Sequence, residues 1–195
     1  MPVNIKVMSP KNWTDFLSKN SNKSNYVHPS NDNYLEVNVS FVSYYFINGL
    51  KAIIKNCCFD KLHFLYLNGH THEFYFQVDS IGKTIYEERI YFTTIENNYY
   101  ETINQINSLI AWCKMNPSEV VKIFDLKETN ENIIKSIDDS SFLLNIIARD
   151  SLNRLCWEKN SKLLFDFLFT VKNMLVSAQD GNNVFVCHVI DASRY

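Results

Sequence analysis

The residues with the most chemical capacity fall in one short stretch. His70 and His72 are two apart, so on a strand they share a face, and His63 lies just across the turn signal Asn68-Gly69. Three imidazoles meeting at a turn would suit a divalent transition metal. The wider patterns of metal enzymes are missing, however. A metalloprotease needs a second histidine where Phe76 stands in HEFYF, and a zinc deaminase needs a Pro-Cys-x-x-Cys partner. Turn-exposed histidines without a chemical role are the favoured reading. No metal or other cofactor is expected; should a metal bind, His63, His70 and His72 are its candidate ligands.

The nucleophiles argue the same way. The five cysteines, Cys57, Cys58, Cys113, Cys156 and Cys187, form no CxxC pair, and four lie in apolar stretches, as reduced core thiols do. Cys187 and His188 are neighbours in a strand and point to opposite faces, so they cannot act together as nucleophile and base. Cys187 also sits among Val184, Val186 and Val189, where packing is its natural role. GxSxG, P-loop, dinucleotide and EF-hand patterns do not occur. Four glycines, Gly49, Gly69, Gly82 and Gly181, none near another, leave little scope for a phosphate cradle. An enzyme whose active groups are scattered in sequence, drawn from His63, His70, His72 or Cys187, stays open as an alternative.

Charge offers a different handle. With 19 basic against 21 acidic residues the net charge is −2, so no overall field draws the chain to nucleic acid or anionic lipid. The distribution is uneven. From Lys61 to Asp139 there are 7 basic and 12 acidic residues, whereas the flanking parts are slightly basic. The aromatic runs HEFYFQV and RIYFTTI have the composition of single-strand stacking platforms, but they stand in the most acidic third, which repels phosphate. Glu87, Glu88, Glu96, Glu101, Glu128, Glu131, Asp138 and Asp139 could instead offer an acidic surface to a basic protein, with Tyr99 and Tyr100 as aromatic anchors. The competing reading is a solvated face that keeps the chain in solution.

These residues need a scaffold, and 195 residues with 46% hydrophobic and 21% charged side chains suit one globular domain that buries roughly 70% of its unfolded surface. VNIKVM (3–8) reads as a strand, and Ser9-Pro10 starts a helix to about Lys19 with Trp13, Phe16 and Leu17 inward. Residues 18–33 are polar and aperiodic, a surface loop. A strand at 34–39 and a helix at 40–55 follow. KLHFLYLN, HEFYFQVD and TIYEERIYFTTI, separated by turn residues, predict a three-stranded antiparallel meander over about 61–94.

Asn97 or Asn98 can cap a helix to about Met115, with Ile103, Ile106, Ile110 and Cys113 on one stripe and Pro117 just beyond its end. VVKIFDL (120–126) reads as a strand, 129–138, 140–157 and 161–177 as helices, and NVFVCHVI (183–190) as a strand. The helix containing LLFDFLFTVKNMLV is apolar nearly all round, which suits burial between layers before self-association; Asp166 and Lys172 and its length argue against a bilayer span.

The fold class expected is α+β: a single domain in which the meander, extended by further strands, packs against several helices. The N-terminus lacks the features of a secretory signal, so a cytoplasmic location is expected. The function expected is a small non-catalytic binding protein that occupies and neutralises a protein partner, most concretely an immunity or inhibitor protein for a toxin. The alternatives are an unrecognised hydrolase or metal-dependent enzyme, and a viral or effector protein that blocks a host pathway. The partner is a protein, with basic character; nucleic acid and membrane are not expected, and the chain is a monomer or homodimer.

Overall fold

The computed structural model describes residues 3–20, 35–39, 44–66, 72–79, 85–95, 97–142 and 160–193. Within them the chain is α+β. The strands β1 (Val3–Met8), β2 (Leu35–Val39), β3 (His72–Asp79), β4 (Ile85–Ile95) and β5 (Val184–Ser193) form one sheet in the order β2-β1-β5-β4-β3, with every neighbour antiparallel. The register sets Ile5 beside Cys187, and Val7 beside Phe185, which in turn pairs with Ile95. Directly opposed residues share a face, so these five define the side of the sheet that meets the main core. Met8, Val184 and Val186 lie on the other side and are buried too, as are Trp13 and Phe16, whose rings stack at 5.5 Å.

The helices are α1 (Pro10–Asn20), α2 (Tyr44–Asn56), α3 (Tyr99–Met115), α4 (Pro117–Ile123), α5 (Asn130–Ser141) and α6 (Ser161–Asp180). The last of these is the hub. It packs on β1 and β5 and also on α3 and α5. Phe165, Leu168, Val171, Met174, Leu175 and Ala178 are consequently fully buried. This double-sided burial explains why its sequence is apolar all round. No helix among the described residues is long and apolar enough to cross a membrane.

Close approach also matters between α2 and α4. Gly49 of α2 lies so near the ring of Phe124 that a Cβ there would stand 2.5 Å from it. Glycine is what lets the helix reach that ring.

Two sequence expectations are overturned. The first strand of the meander, at 61–68, is instead a 3-10 helix over Asp60–Tyr66, so β3 and β4 form a two-stranded unit and β4 turns its other edge to β5. Phe64, Leu65 and Tyr66 are buried in succession, and the turn is held by its own hydrogen bonds and by one from α3. Leu62 N–H donates to Phe59 C=O, and Lys61 N–H donates to Gln105 Oε1 on α3 at 2.9 Å. The strand expected at 120–126 is α4 through Ile123. Pro117, read as the stop beyond α3, is the first residue of this next helix, and Val120 and Phe124 are buried four apart. Of the helix expected at 140–157, Ser140 and Ser141 end α5 and Phe142 is its C-cap, and residues 143–157 lie outside the described residues. The loop expected at 18–33 begins inside α1, which continues to Asn20, and the rest of it lies outside them.

Candidate functional site

His63 does not stand on the hairpin strand that the sequence reading gave it. His63 lies on the 3-10 helix, with its ring 5.3 Å from that of Tyr66; His72 opens β3, and His70 lies outside the described residues. Among the described residues no group of three His, Cys, Asp or Glu side chains is placed to hold a metal ion. Cys187, expected to pack in the core and a nucleophile only under the alternative enzyme reading, is a buried thiol. Burial pushes Cys187 up to about 12, and burial reinforced by Cys57 does the same to Cys113. Both are neutral thiols near pH 7, and it is the thiolate that attacks.

The acidic residues divide into two groups. Glu87 and Glu88 are successive positions of β4, aligned with Gln77 and Phe76 of β3 respectively, so they occupy opposite faces of the sheet. Glu96 lies outside the described residues. The remaining acids belong to the helical segment 97–142, which holds seven carboxylates and four lysines.

The positions of these acids follow from local structure. Thr129 and Asn132 form a reciprocal capping box that starts α5, and Asn130 Nδ2 donates to Ser118 Oγ at 2.7 Å, drawing the first turns of α4 and α5 together. Glu119 and Glu131 stand in those first turns, where the helix dipole favours a carboxylate. Ile133, Ile137 and Ser140 face inward, leaving Glu131, Asp138 and Asp139 exposed.

A polar seam sets how α5 lies on α6. Ser140 Oγ donates to Asp166 Oδ1 at 2.7 Å, and Lys162 Nζ donates to both oxygens of that nearly buried carboxylate. The Ser136 and Ser161 hydroxyls bond at 2.8 Å, and Glu128 accepts from Ser161 N–H. Glu128 is thus committed to structure. Such directional bonds fix the register that apolar contact alone leaves loose.

At the far end of α5, Lys114 Nζ reaches Asp138 Oδ1 at 2.6 Å and ties the last turn of α3 to that of α5. Beside this tie are two large apolar side chains, Met115, which the sequence reading did not single out as an apolar contact, and Phe142, which it placed among the apolar residues of the helix expected at 140–157. Met115 is 73% exposed and Phe142 81% exposed. With Asp138 and Asp139 they make an apolar and acidic edge. Neither Glu131 nor Asp139 has a cationic partner among the described residues.

The two tyrosines expected as anchors part company. Tyr100 is 72% exposed, but Tyr99 is buried and acts inside the fold. Its hydroxyl lies between the carbonyls of Ile95 and Asn183 and accepts from Phe185 N–H at 3.2 Å. With one proton to give, it donates to one carbonyl at a time. The bond set joins the β4–α3 junction to the α6–β5 junction. No family model, no curated protein and no solved structure matches the chain.

Proposed function

We propose that this chain is a non-catalytic binding protein, a single cytoplasmic α+β domain that occupies and neutralises a basic protein partner, most concretely as an immunity or inhibitor protein for a toxin. The observation that supports it is the edge where Met115 and Phe142 stand exposed beside Asp138 and Asp139. Exposed methionine and phenylalanine next to Asp139, which has no cationic partner among the described residues, suit an interface in which charge steers the approach and apolar anchors hold the complex. The neutral state of Cys113 and Cys187 weakens the reading as a thiol enzyme.

The test compares capture by the intact chain with capture by Phe142→Ser and by Asp139→Lys, followed by native mass spectrometry across a salt series. The expected result is a stoichiometric basic protein held by the wild type, released as salt rises, and lost by both variants. Both positions are exposed, so folding should survive. Equal retention by wild type and variants, or no stoichiometric partner, overturns the proposal.

A further inference from the structure

At the opposite end of α3 lies a cleft of about 440 Å³ that is independent of the partner reading. Its walls come from the start of α3, the α6–β5 turn and the first residue of α1, Pro10. Five carboxamides line it, those of Asn97, Asn98, Gln179, Asn182 and Asn183, together with Tyr100. We propose that this cleft binds a neutral, hydroxyl-rich ligand, a saccharide.

The donor set supports that chemistry. Each carboxamide offers one acceptor oxygen and two N–H donors, a match for hydroxyls, which both give and accept. Among the described residues no ionised side chain lines the cleft, and the adjoining sequence positions carry Lys11, Glu96, Glu101 and Asp180, which do not add up to a cationic field. The helix dipoles oppose each other as well. The α3 N-terminus brings partial positive charge to the cleft, and the α6 C-terminus brings partial negative charge. A neutral dipolar ligand loses nothing in such a field, whereas an anion finds no counter-charge. The exposed ring of Tyr100 supplies a π face for the C–H groups of a sugar ring. The volume is within the range of small-ligand sites.

The cleft is also held in shape before any ligand arrives. Asn182 and Asn98 adopt left-handed backbone conformations, with φ of 48° and 65°. Asn182 ends α6 in a Schellman arrangement, with Asn183 N–H donating to Ala178 C=O at 2.7 Å and Asn182 N–H to Gln179 C=O at 3.2 Å. Asn98 occupies the N-cap of α3, yet its side chain makes no cap hydrogen bond. Its amide is therefore not committed to the helix end as a capping asparagine's usually is. Tyr99 pins the two walls together through its hydroxyl.

The experiment titrates the full, isotopically labelled chain with glucose, galactose, N-acetylglucosamine and maltotriose at millimolar concentration, following side-chain amide and tyrosine resonances. Phosphate and acetate serve as charged comparisons. The expected result is a saturable shift of Asn98, Gln179 and Asn182 amides with at least one sugar, little affected by salt. Tyr100→Ala and Gln179→Leu, both at exposed positions, should each weaken it by about tenfold. Tighter binding of maltotriose than glucose would mark a chain of sugars as the occupant, and equal binding a free monosaccharide; either supports the site. No shift with any of the four sugars, a shift with phosphate or acetate in their place, or binding that both variants leave intact overturns the proposal.

Discussion

The two ends of α3 border surfaces built in opposite ways. The helix is about 25 Å long at 1.5 Å per residue. Its first turn borders a concave, uncharged cleft whose walls are joined by the buried hydroxyl of Tyr99. Its last turn borders an edge where Met115 and Phe142 are exposed and Lys114 meets Asp138, both side chains about half exposed. At the first end the groups that shape the site also hold the fold. At the second they can be changed with little structural consequence, because exposed ion pairs contribute roughly 0 to 1 kcal/mol. Stability and recognition are thus coupled at one end and separable at the other.

The most direct way to break that comparison is Tyr99→Phe. It removes an acceptor from Phe185 N–H and the donor shared by two carbonyls, and leaving such groups unpaired costs about 2 kcal/mol. The urea midpoint should fall accordingly with an unchanged m-value. The buried thiols show where the loosening occurs. Both Cys113, near the end of α3, and Cys187, on β5 two residues beyond Phe185, stay protonated at pH 8 because burial holds them up to about 12. Alkylation followed by mass spectrometry should find Cys58 modified first, since it is exposed. In Tyr99→Phe, Cys187 should gain more in rate than Cys113. Equal acceleration of both would mean that the tyrosine holds the whole fold and not one end.

Those thiols also give the comparison a pH dependence. A folded-state value near 12 against 9.0 for an ordinary thiol means that the unfolded chain releases its protons first. Stability is therefore complete below about pH 9 and declines as the pH climbs toward 12.

The second prediction concerns the other end. Lys114→Met removes an exposed pair and should change the unfolding free energy by no more than about 0.5 kcal/mol, as read from urea denaturation. A loss near that of Tyr99→Phe would erase the distinction between the ends.

How much of this was legible in the sequence depends on what each residue's environment adds to its type. Among the described residues, periodicity revealed five strands and α1, α2, α3, α5 and α6. It failed at Asp60–Tyr66, where three successive apolar residues are buried by a tight turn, and at Pro117, whose lack of an N–H suits a helix start as well as a stop. The sites were harder. Met115 and Phe142 are types expected inside, so their exposure has no sequence signal. Tyr99 and Tyr100 are adjacent, and a helix turns about 100° between neighbours, so one points in and the other out. Nothing in their order says which. Four of the five cleft carboxamides are hidden among 24 asparagines in the chain.

The smallest effect sharpens the comparison most, because it should move stability and binding in opposite directions at one residue. Asn182 sits at φ 48°, which asparagine tolerates better than most side chains but glycine adopts without penalty. Asn182→Gly should therefore raise the unfolding free energy by a few tenths of a kcal/mol, at the limit of a careful urea comparison. The same change deletes one of the amides that line the cleft, so sugar binding should weaken while the Schellman bonds, which use only backbone, persist. If the variant is instead less stable, the side chain supports the turn itself, and the left-handed asparagine is explained by folding alone. If it is more stable and binds sugar as before, the cleft draws its specificity from its other walls. More stable with weaker binding would show that asparagine is held in that conformation for the ligand's sake.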